Sequence, residues 1–223
     1  MSSAVAIDAS QVARRYGSRW ALAGVTFQIP AGTALMLAGR NGAGKSTLLR
    51  VLATAIRPDR GSLTIGGFDV LRDRQDVRRL TALLSHQSYL YESLTARENL
   101  DVVADHLCVS RERVLPLLEQ VGLAARKDDV VATFSAGMRK RLSFARVLLQ
   151  SPRVVLLDEP YGALDPPGFD LVDSVIAELK QSGATIVMAT HQLERSARMC
   201  DAGITLEQGR VVEEWSTRPG EAP

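Results

Sequence analysis

Gly39-Arg-Asn-Gly-Ala-Gly-Lys-Ser-Thr47 fits G-x-x-x-x-G-K-[S/T], with Gly39, Gly44, Lys45 and Ser46 at the defined positions. An apolar run, Ala34-Leu-Met-Leu-Ala38, precedes it, and a helix-like run, Thr47-Leu-Leu-Arg-Val-Leu-Ala53, follows. Strand, tight glycine loop and helix are the context in which this pattern captures phosphate. Glycines let the backbone fold closely round an anion, and the N–H groups of the loop and helix N-terminus point inward at it. Arg40, Asn41, Gly42 and Ala43 carry loop amides between the fixed positions, and Thr47 extends the set into the helix. Lys45 brings positive charge to the β- and γ-phosphates, and the Ser46 hydroxyl is a ligand for Mg2+. These residues predict a bound nucleoside triphosphate with Mg2+.

The composition bounds what surrounds that loop. A chain of 223 residues suits one α/β domain, with room for a subdomain. Hydrophobic residues at 46% suffice for a buried core. A net charge of +2 is nearly balanced, and 5% aromatics is poor for base stacking, so both argue against a nucleic-acid partner. No apolar run approaches the roughly 18 residues of a membrane span. Met1 to Asp8 lacks the basic region and apolar stretch of a signal peptide. Cys108 and Cys200 lie far apart without metal-ligand spacing, and read as reduced thiols.

Taken in order, residues 5 to 30 read as short strands and turns, with a turn at Gly17-Ser18 and a weakly alternating Val25–Ile29. Tyr16 stands well upstream of the loop, and its spacing alone favours an edge-strand tyrosine over a ring stacked on a base. The helix after the loop should stop near Ile56-Arg-Pro58. Gly61–Gly67 reads as a strand and turn, Asp73–Arg79 as an exposed helix, and Leu80–Ser85 as a buried strand. Residues 88 to 150 then change to helical periodicity. Thr95 with Glu98 forms a capping box, Val114, Leu117, Leu118 and Val121 share one helical face, and Phe134-Ser-Ala-Gly-Met138 opens a helix that Pro152 ends. No Pro/Gly/Ser-rich linker flanks this stretch, so it is a helical insertion (88–150) in one domain whose core is 1–87 and 151–215. Arg153–Asp158 and Ala184–Ala189 are further buried strands, with a helix from about Pro167 to Gln181 between them. Residues 203 to 213 read as a closing hairpin round Gln208-Gly209, and 216–223 as a frayed tail. Four apolar strands with intervening helices imply a largely parallel sheet covered on both faces.

Functional residues of such a sheet collect beyond the carboxyl ends of its strands. The phosphate loop, Gln87, Asp158-Glu159 and His191 each follow a strand, and so predict one pocket. Cleaving a γ-phosphate requires charge neutralisation, a metal and an oriented water. Lys45 and the loop amides supply the first. Ser46 and Asp158 hold the metal, Glu159 polarises the attacking water, and His191 bonds the γ-phosphate or holds that water. Gln87 carries a neutral amide that reaches Mg2+ or water and releases it, which suits a sensor. His86 and His106 receive no role. Arg139-Lys-Arg141 reads as a solvated helix face.

The ordered elements resemble, over nearly the full length, the ATP-binding subunits of ABC transporters. They are Tyr16, Gly39–Thr47, Gln87, Phe134–Met138, Leu156-Leu-Asp-Glu-Pro160, Ala163-Leu-Asp165 and His191. The resemblance implies an α/β fold: a P-loop NTPase (RecA-like) core with a mostly parallel sheet, an antiparallel N-terminal β-subdomain and a helical insertion. It also implies that Tyr16 stacks on the ATP base. The signature of one subunit would close on the γ-phosphate held by another, through the Ser135 hydroxyl and the Gly137 N–H, and Asp165 would be a further cofactor-binding residue. The signature departs from Leu-Ser-Gly-Gly-Gln, since Ala136 replaces a glycine and Met138 the glutamine. The implied protein is an ATP hydrolase that uses ATP and Mg2+ and dimerises on ATP. It sits peripherally on the cytoplasmic face of the inner membrane, driving integral membrane permease subunits that carry a small-molecule cargo.

Within that family, His86-Gln87, Leu94-Thr-Ala-Arg-Glu-Asn-Leu100 and Thr190-His-Gln192 are similar to the haem exporter ATPases of cytochrome c maturation, although no residue here binds haem. Exporters of drugs, lipids or polysaccharides share much of this pattern. Residues 88 to 100, with Tyr89, Leu90 and Tyr91, are expected to receive the membrane partner. Two rivals remain. A nucleic-acid ABC ATPase would carry tandem cassettes or coiled-coil or zinc modules, and a P-loop kinase would not require Ser135–Gly137 or His191.

Overall fold

The structure, a computed structural model, describes residues 5–216. The readings of Met1–Ala4 and of the tail at 217–223 lie outside the described residues.

The first two strands are far longer than their weak alternation suggests. β1 (Val5–Tyr16) and β2 (Arg19–Pro30) form one antiparallel hairpin, with Tyr16 opposite Arg19 across Gly17-Ser18. The alternation is blurred because the register slips between Ala9 and Val12, where Gln11 takes φ +52°. Such a bulge moves every later side chain to the other face. β3 (Ala34–Ala38) then enters the phosphate loop and α1 (Lys45–Leu52) leaves it. α1 stops well short of Pro58, because Thr54 turns left-handed (φ +55°) and the Arg50 carbonyl accepts from both Ala55 and Ile56. β4 (Arg60–Ile65) and β5 (Phe68–Asp69) complete a four-stranded sheet in the order β2-β1-β4-β5, antiparallel throughout. α2 (Arg74–Leu80) and β6 (Thr81–Leu84) lead to the helical stretch.

α3 (Ala96–Leu107) begins with the expected capping box, both of its hydrogen bonds formed between Thr95 and Glu98. α4 (Val114–Gln120) and α5 (Ala136–Gln150) follow, then β7 (Val154–Asp158), α6 (Pro166–Gln181), β8 (Thr185–Ala189) and α7 (Leu193–Ala197). The closing hairpin is present as β9 (Ala202–Glu207) and β10 (Arg210–Ser216), but β9 also pairs in parallel with β3. The second sheet therefore runs β10-β9-β3-β8-β7-β6, with only β10 antiparallel.

The pleat divides this sheet's side chains between two cores. Leu35, Leu37, Leu156 and Val187 face α1 and the antiparallel sheet, whereas Met36, Val155, Leu157 and Met188 face α3 to α6. Both faces are buried, which explains why these strands read as unbroken apolar runs. The helices of 88–150 share their core with the sheet.

Candidate functional site

β3, β7 and β8 lie side by side and parallel, so their carboxyl ends open on the same edge. The phosphate loop leaves β3, Asp158 closes β7 with Glu159 next, and Thr190-His191 follows β8. Of these, residues 41–47, Asp158, Glu159 and His191 line one cleft of about 460 Å3 together with Tyr16, Arg19 and Ala21 from the first hairpin.

The loop's shape depends on two glycines. Gly39 takes φ +135°, and a Cβ there would stand 2.3 Å from the Leu206 carbonyl oxygen. Gly44 takes φ +113°, and its Cβ would lie 2.5 Å from the Ala21 carbonyl oxygen. A side chain at either would drive the loop from its neighbouring strand. Lys45 is 7% exposed and donates from Nζ to the carbonyls of Gly39 (2.6 Å) and Arg40 (3.3 Å). Burial pushes its pKa down, and the carboxylates of Glu159 and Asp158 pull it back up. The ammonium is thus held by loop carbonyls, with two acids in its field. The Ser46 hydroxyl donates to Asp158 Oδ1 at 3.1 Å. Two hard oxygen donors in contact beside a phosphate loop fit Mg2+, which takes one or two protein oxygens and completes its shell with phosphate and water. Among the described residues, no group of three or more His, Cys, Asp or Glu forms an all-protein metal cage.

Glu159 stands apart from ordinary strand-end acids by its backbone. It adopts φ +48°, a left-handed conformation that costs a non-glycine residue about 1–3 kcal/mol. Its N–H donates to the Ala189 carbonyl (2.8 Å), and its own carbonyl accepts from Gly162 N–H (3.1 Å) and Lys140 Nζ (3.0 Å). The carboxylate accepts from the His191 N–H at 3.3 Å and lies 3.4 Å from its Nε2. Acid and imidazole are therefore already paired at the mouth of the cleft.

Tyr16 is 45% exposed, with the Arg14 guanidinium 5.1 Å from its ring centroid. It lines the cleft rather than packing in the core. Arg19 and Ala21 line the cleft too, and sequence reading passed over both. The signal was the turn at Gly17-Ser18, because a hairpin there sets Arg19 beside Tyr16.

Gln87 is exposed and does not line this cleft, and its carbonyl accepts from the Ser85 hydroxyl at 2.6 Å. Ser135, Gly137 and Asp165 are not brought to the phosphate loop of their own chain. They line a second cleft of about 560 Å3 that shares no residue with the first. Ser135 caps α5, accepting from Met138 N–H at 3.2 Å. Gly137 runs close to the Ala163 carbonyl, and Asp165 caps α6 through Gly168 N–H (3.1 Å). Met138, which stands where a glutamine is usual, packs partly into the helical core.

The expected solvated face at Arg139–Arg141 is a correction. All three residues are half-buried. Lys140 reaches Glu159, and Arg141 lies 3.5 Å from Asp165. A short basic run gives no hint of this, since the acids it meets are 19 and 24 residues away.

A profile of the family described as ABC transporter matches residues 22–162. The chain belongs to the ABC transporter family. A daunorubicin resistance ATP-binding protein, DrrA3 of Streptomyces coeruleorubidus, is 37% identical over 216 residues, covering 95% of this chain and 68% of that protein. A Nod factor export ATP-binding protein of Burkholderia thailandensis is 35% identical, covering 97% of this chain and 72% of its own. The lantibiotic transport ATP-binding protein SrtF of Streptococcus pyogenes is 35% identical, covering 90% and 86%. The solved structure of an ATP-binding subunit of an ABC transporter superposes with a TM-score of 0.88 at 31% identity, covering 95% of this chain and 90% of that one. A dimeric ATP-binding cassette in a post-hydrolysis state with ADP and Pi superposes with a TM-score of 0.87 at 26% identity, covering 95% and 99%. This ABC transporter chain is an ATP-binding, ATP-hydrolysing subunit. Among its described residues no helix is long and apolar enough to cross a membrane.

Proposed function

We infer that two copies of this chain clamp two ATP molecules, each between the phosphate cleft of one copy and the Ser135–Gly137 cleft of the other. The observation that carries this is the separation of the two clefts: the residues of the signature line a surface of their own. An α5 N-terminus capped by Ser135 presents a hydroxyl and free N–H groups suited to an anion brought by a second copy.

In the closed pair, the loop amides and Lys45 hold the β- and γ-phosphates, and Tyr16 stacks on the base. Ser46 and Asp158 would hold Mg2+, which would supply positive charge to neutralise the phosphoryl oxygens. Glu159 accepts a hydrogen bond from the attacking water, and His191 fixes the Glu159 carboxylate and reaches the γ-phosphate. Gln87, exposed on the segment between β6 and α3, swings in to complete the site. Hydrolysis then loosens the pair, and that motion drives export through integral membrane permease subunits. The chain acts from the cytoplasmic face of the inner membrane, and Tyr89 and Tyr91, each 57% exposed, mark where the permease docks.

Export agrees with the name of the Nod factor export relative, and the other two are named for drug resistance and for lantibiotic transport. Haem is the narrower proposal for the cargo, and it rests on His86-Gln87, Leu94–Leu100 and Thr190-His-Gln192. Co-purification of a haem-handling permease would support it, and a permease for another small molecule would replace it. For the clamp itself, Glu159→Gln should retain ATP binding, stall turnover and elute as a dimer with ATP and Mg2+. A monomer with ordinary hydrolysis would refute the assignment.

A further inference from the structure

Lys140 is placed against two physical costs. It lies just over one turn inside the N-terminus of α5, the end of a helix that repels cations, and it is half-buried. What offsets them is specific. Its Nζ donates to the Glu159 carbonyl at 3.0 Å, and the Asp158 and Glu159 carboxylates act on it electrostatically. That carbonyl belongs to the one residue of the phosphate cleft that combines an acid side chain with a left-handed backbone. Two other bonds pin the same turn: Glu159 N–H donates to the Ala189 carbonyl at the end of β8, and Gly162 N–H donates to the Glu159 carbonyl within the turn itself. The Lys140 bond alone comes from α5, whose first turn forms the second cleft. Lys140 itself lines a third cavity of about 220 Å3 where these elements meet. His86, Ser88, Arg139, Glu159 and Gly162 line it too.

We propose that Lys140 is a positioning residue. Its ammonium holds the Glu159 peptide in the left-handed turn that aims the carboxylate at His191 and the attacking water, and it ties that aim to the signature helix. Contact of Ser135 and Gly137 with the partner copy's nucleotide shifts the start of α5. Lys140 passes the shift to the acid of its own site, so each active site is completed only when its chain also engages the other nucleotide. The inference rests on the reading of Glu159 as the residue that polarises water.

The test compares Lys140→Met, which keeps the aliphatic stem and removes the donor, with Lys140→Arg, which keeps donor and charge. Turnover, KM for ATP with Mg2+, nucleotide affinity and thermal midpoint are measured on the full chain. Lys140→Met should lower kcat by roughly ten- to a hundredfold, the scale on which a misplaced catalytic group slows a reaction, while KM and affinity stay within about twofold. Lys140→Arg should recover most of the rate. In a Glu159→Gln background, Lys140→Met should add no further loss, because the group it positions is gone. Should Lys140→Met not fold, Lys140→Leu, which likewise carries no donor, carries the same expectation. An unchanged kcat, a fall in affinity matching the fall in kcat, or an additive loss in the double variant would overturn the inference. If Glu159→Gln alone leaves turnover intact, the reading of Glu159 fails instead, and the two failures are told apart.

Discussion

Replacing Lys45 by alanine separates binding from folding in a way the geometry makes quantitative. The side chain is 7% exposed, and burial disfavours its charge. In the free chain two of its three donors go to the Gly39 and Arg40 carbonyls at 2.6 and 3.3 Å. Removing it loses those two bonds but also relieves a buried ammonium, so the two effects largely offset. Folding stability should change by no more than about 1 kcal/mol, a shift in Tm of roughly 2–4 °C for a chain of this length. The nucleotide complex has no such offset. A charge-assisted contact to phosphate contributes about 1.5–3 kcal/mol. At one decade per about 1.4 kcal/mol, affinity should fall roughly ten- to 150-fold. The lower half of that span is expected, because arriving phosphate must replace carbonyl partners Lys45 already has. Titration calorimetry with ATP and Mg2+, beside a thermal melt, reads both quantities. Affinity unchanged within about twofold would refute the phosphate-loop reasoning. A collapsed melt would refute the claim that this lysine serves the ligand rather than the fold.

Two further outcomes follow from the same coordinates. Gly39→Ala puts a methyl 2.3 Å from the Leu206 carbonyl oxygen at φ +135°, so the loop must move off β9. The urea midpoint should fall by the equivalent of about 1–3 kcal/mol and ATP binding should be lost, whereas an unchanged midpoint would contradict the packing described. Thr95→Ala breaks the capping box of α3 and should cost about 1 kcal/mol in urea titration with ATP affinity intact. A loss of ATP affinity there would mean that the start of α3 supports nucleotide binding and not only the helical layer's stability.

The parallel sheet was legible because burial on both faces leaves a strand no polar positions, and β3, β7 and β8 stand out as apolar runs. The phosphate loop was legible because few residue types meet its demands. At Gly39 and Gly44 a side chain would strike backbone, and Lys45 and Ser46 carry the charge and the hydroxyl. The capping box was legible because Thr95 and Glu98 act within one turn. The rest depends on contacts between distant segments. The twelve residues of β1 were hidden by a bulge at Gln11, and the pairing of β9 with β3 could not be seen in a hairpin pattern. Arg19 reaches the cleft only through hairpin register, and Lys140 looks like a solvated cation until the turn after β7 is brought to α5. Of the expected site, Tyr16, the loop, Asp158, Glu159 and His191 meet in one cleft. Ser135, Gly137 and Asp165 meet in another, and Gln87 stands outside both.

A nucleotide gripped between the phosphate loop of one copy and the signature of another brings those two segments together, and this juxtaposition can be trapped. It is tested most directly by mixing two chains on a Glu159→Gln, Cys108→Ser background, which removes the exposed thiol and leaves Cys200 buried. One chain carries Asn41→Cys in the loop, and the other carries Ser135→Cys at the start of α5. On oxidation, the account predicts a disulfide-linked pair of unlike chains that forms with ATP and Mg2+ and not without them. Saturating ATP with no such pair, or a pair that forms equally in its absence, would contradict it.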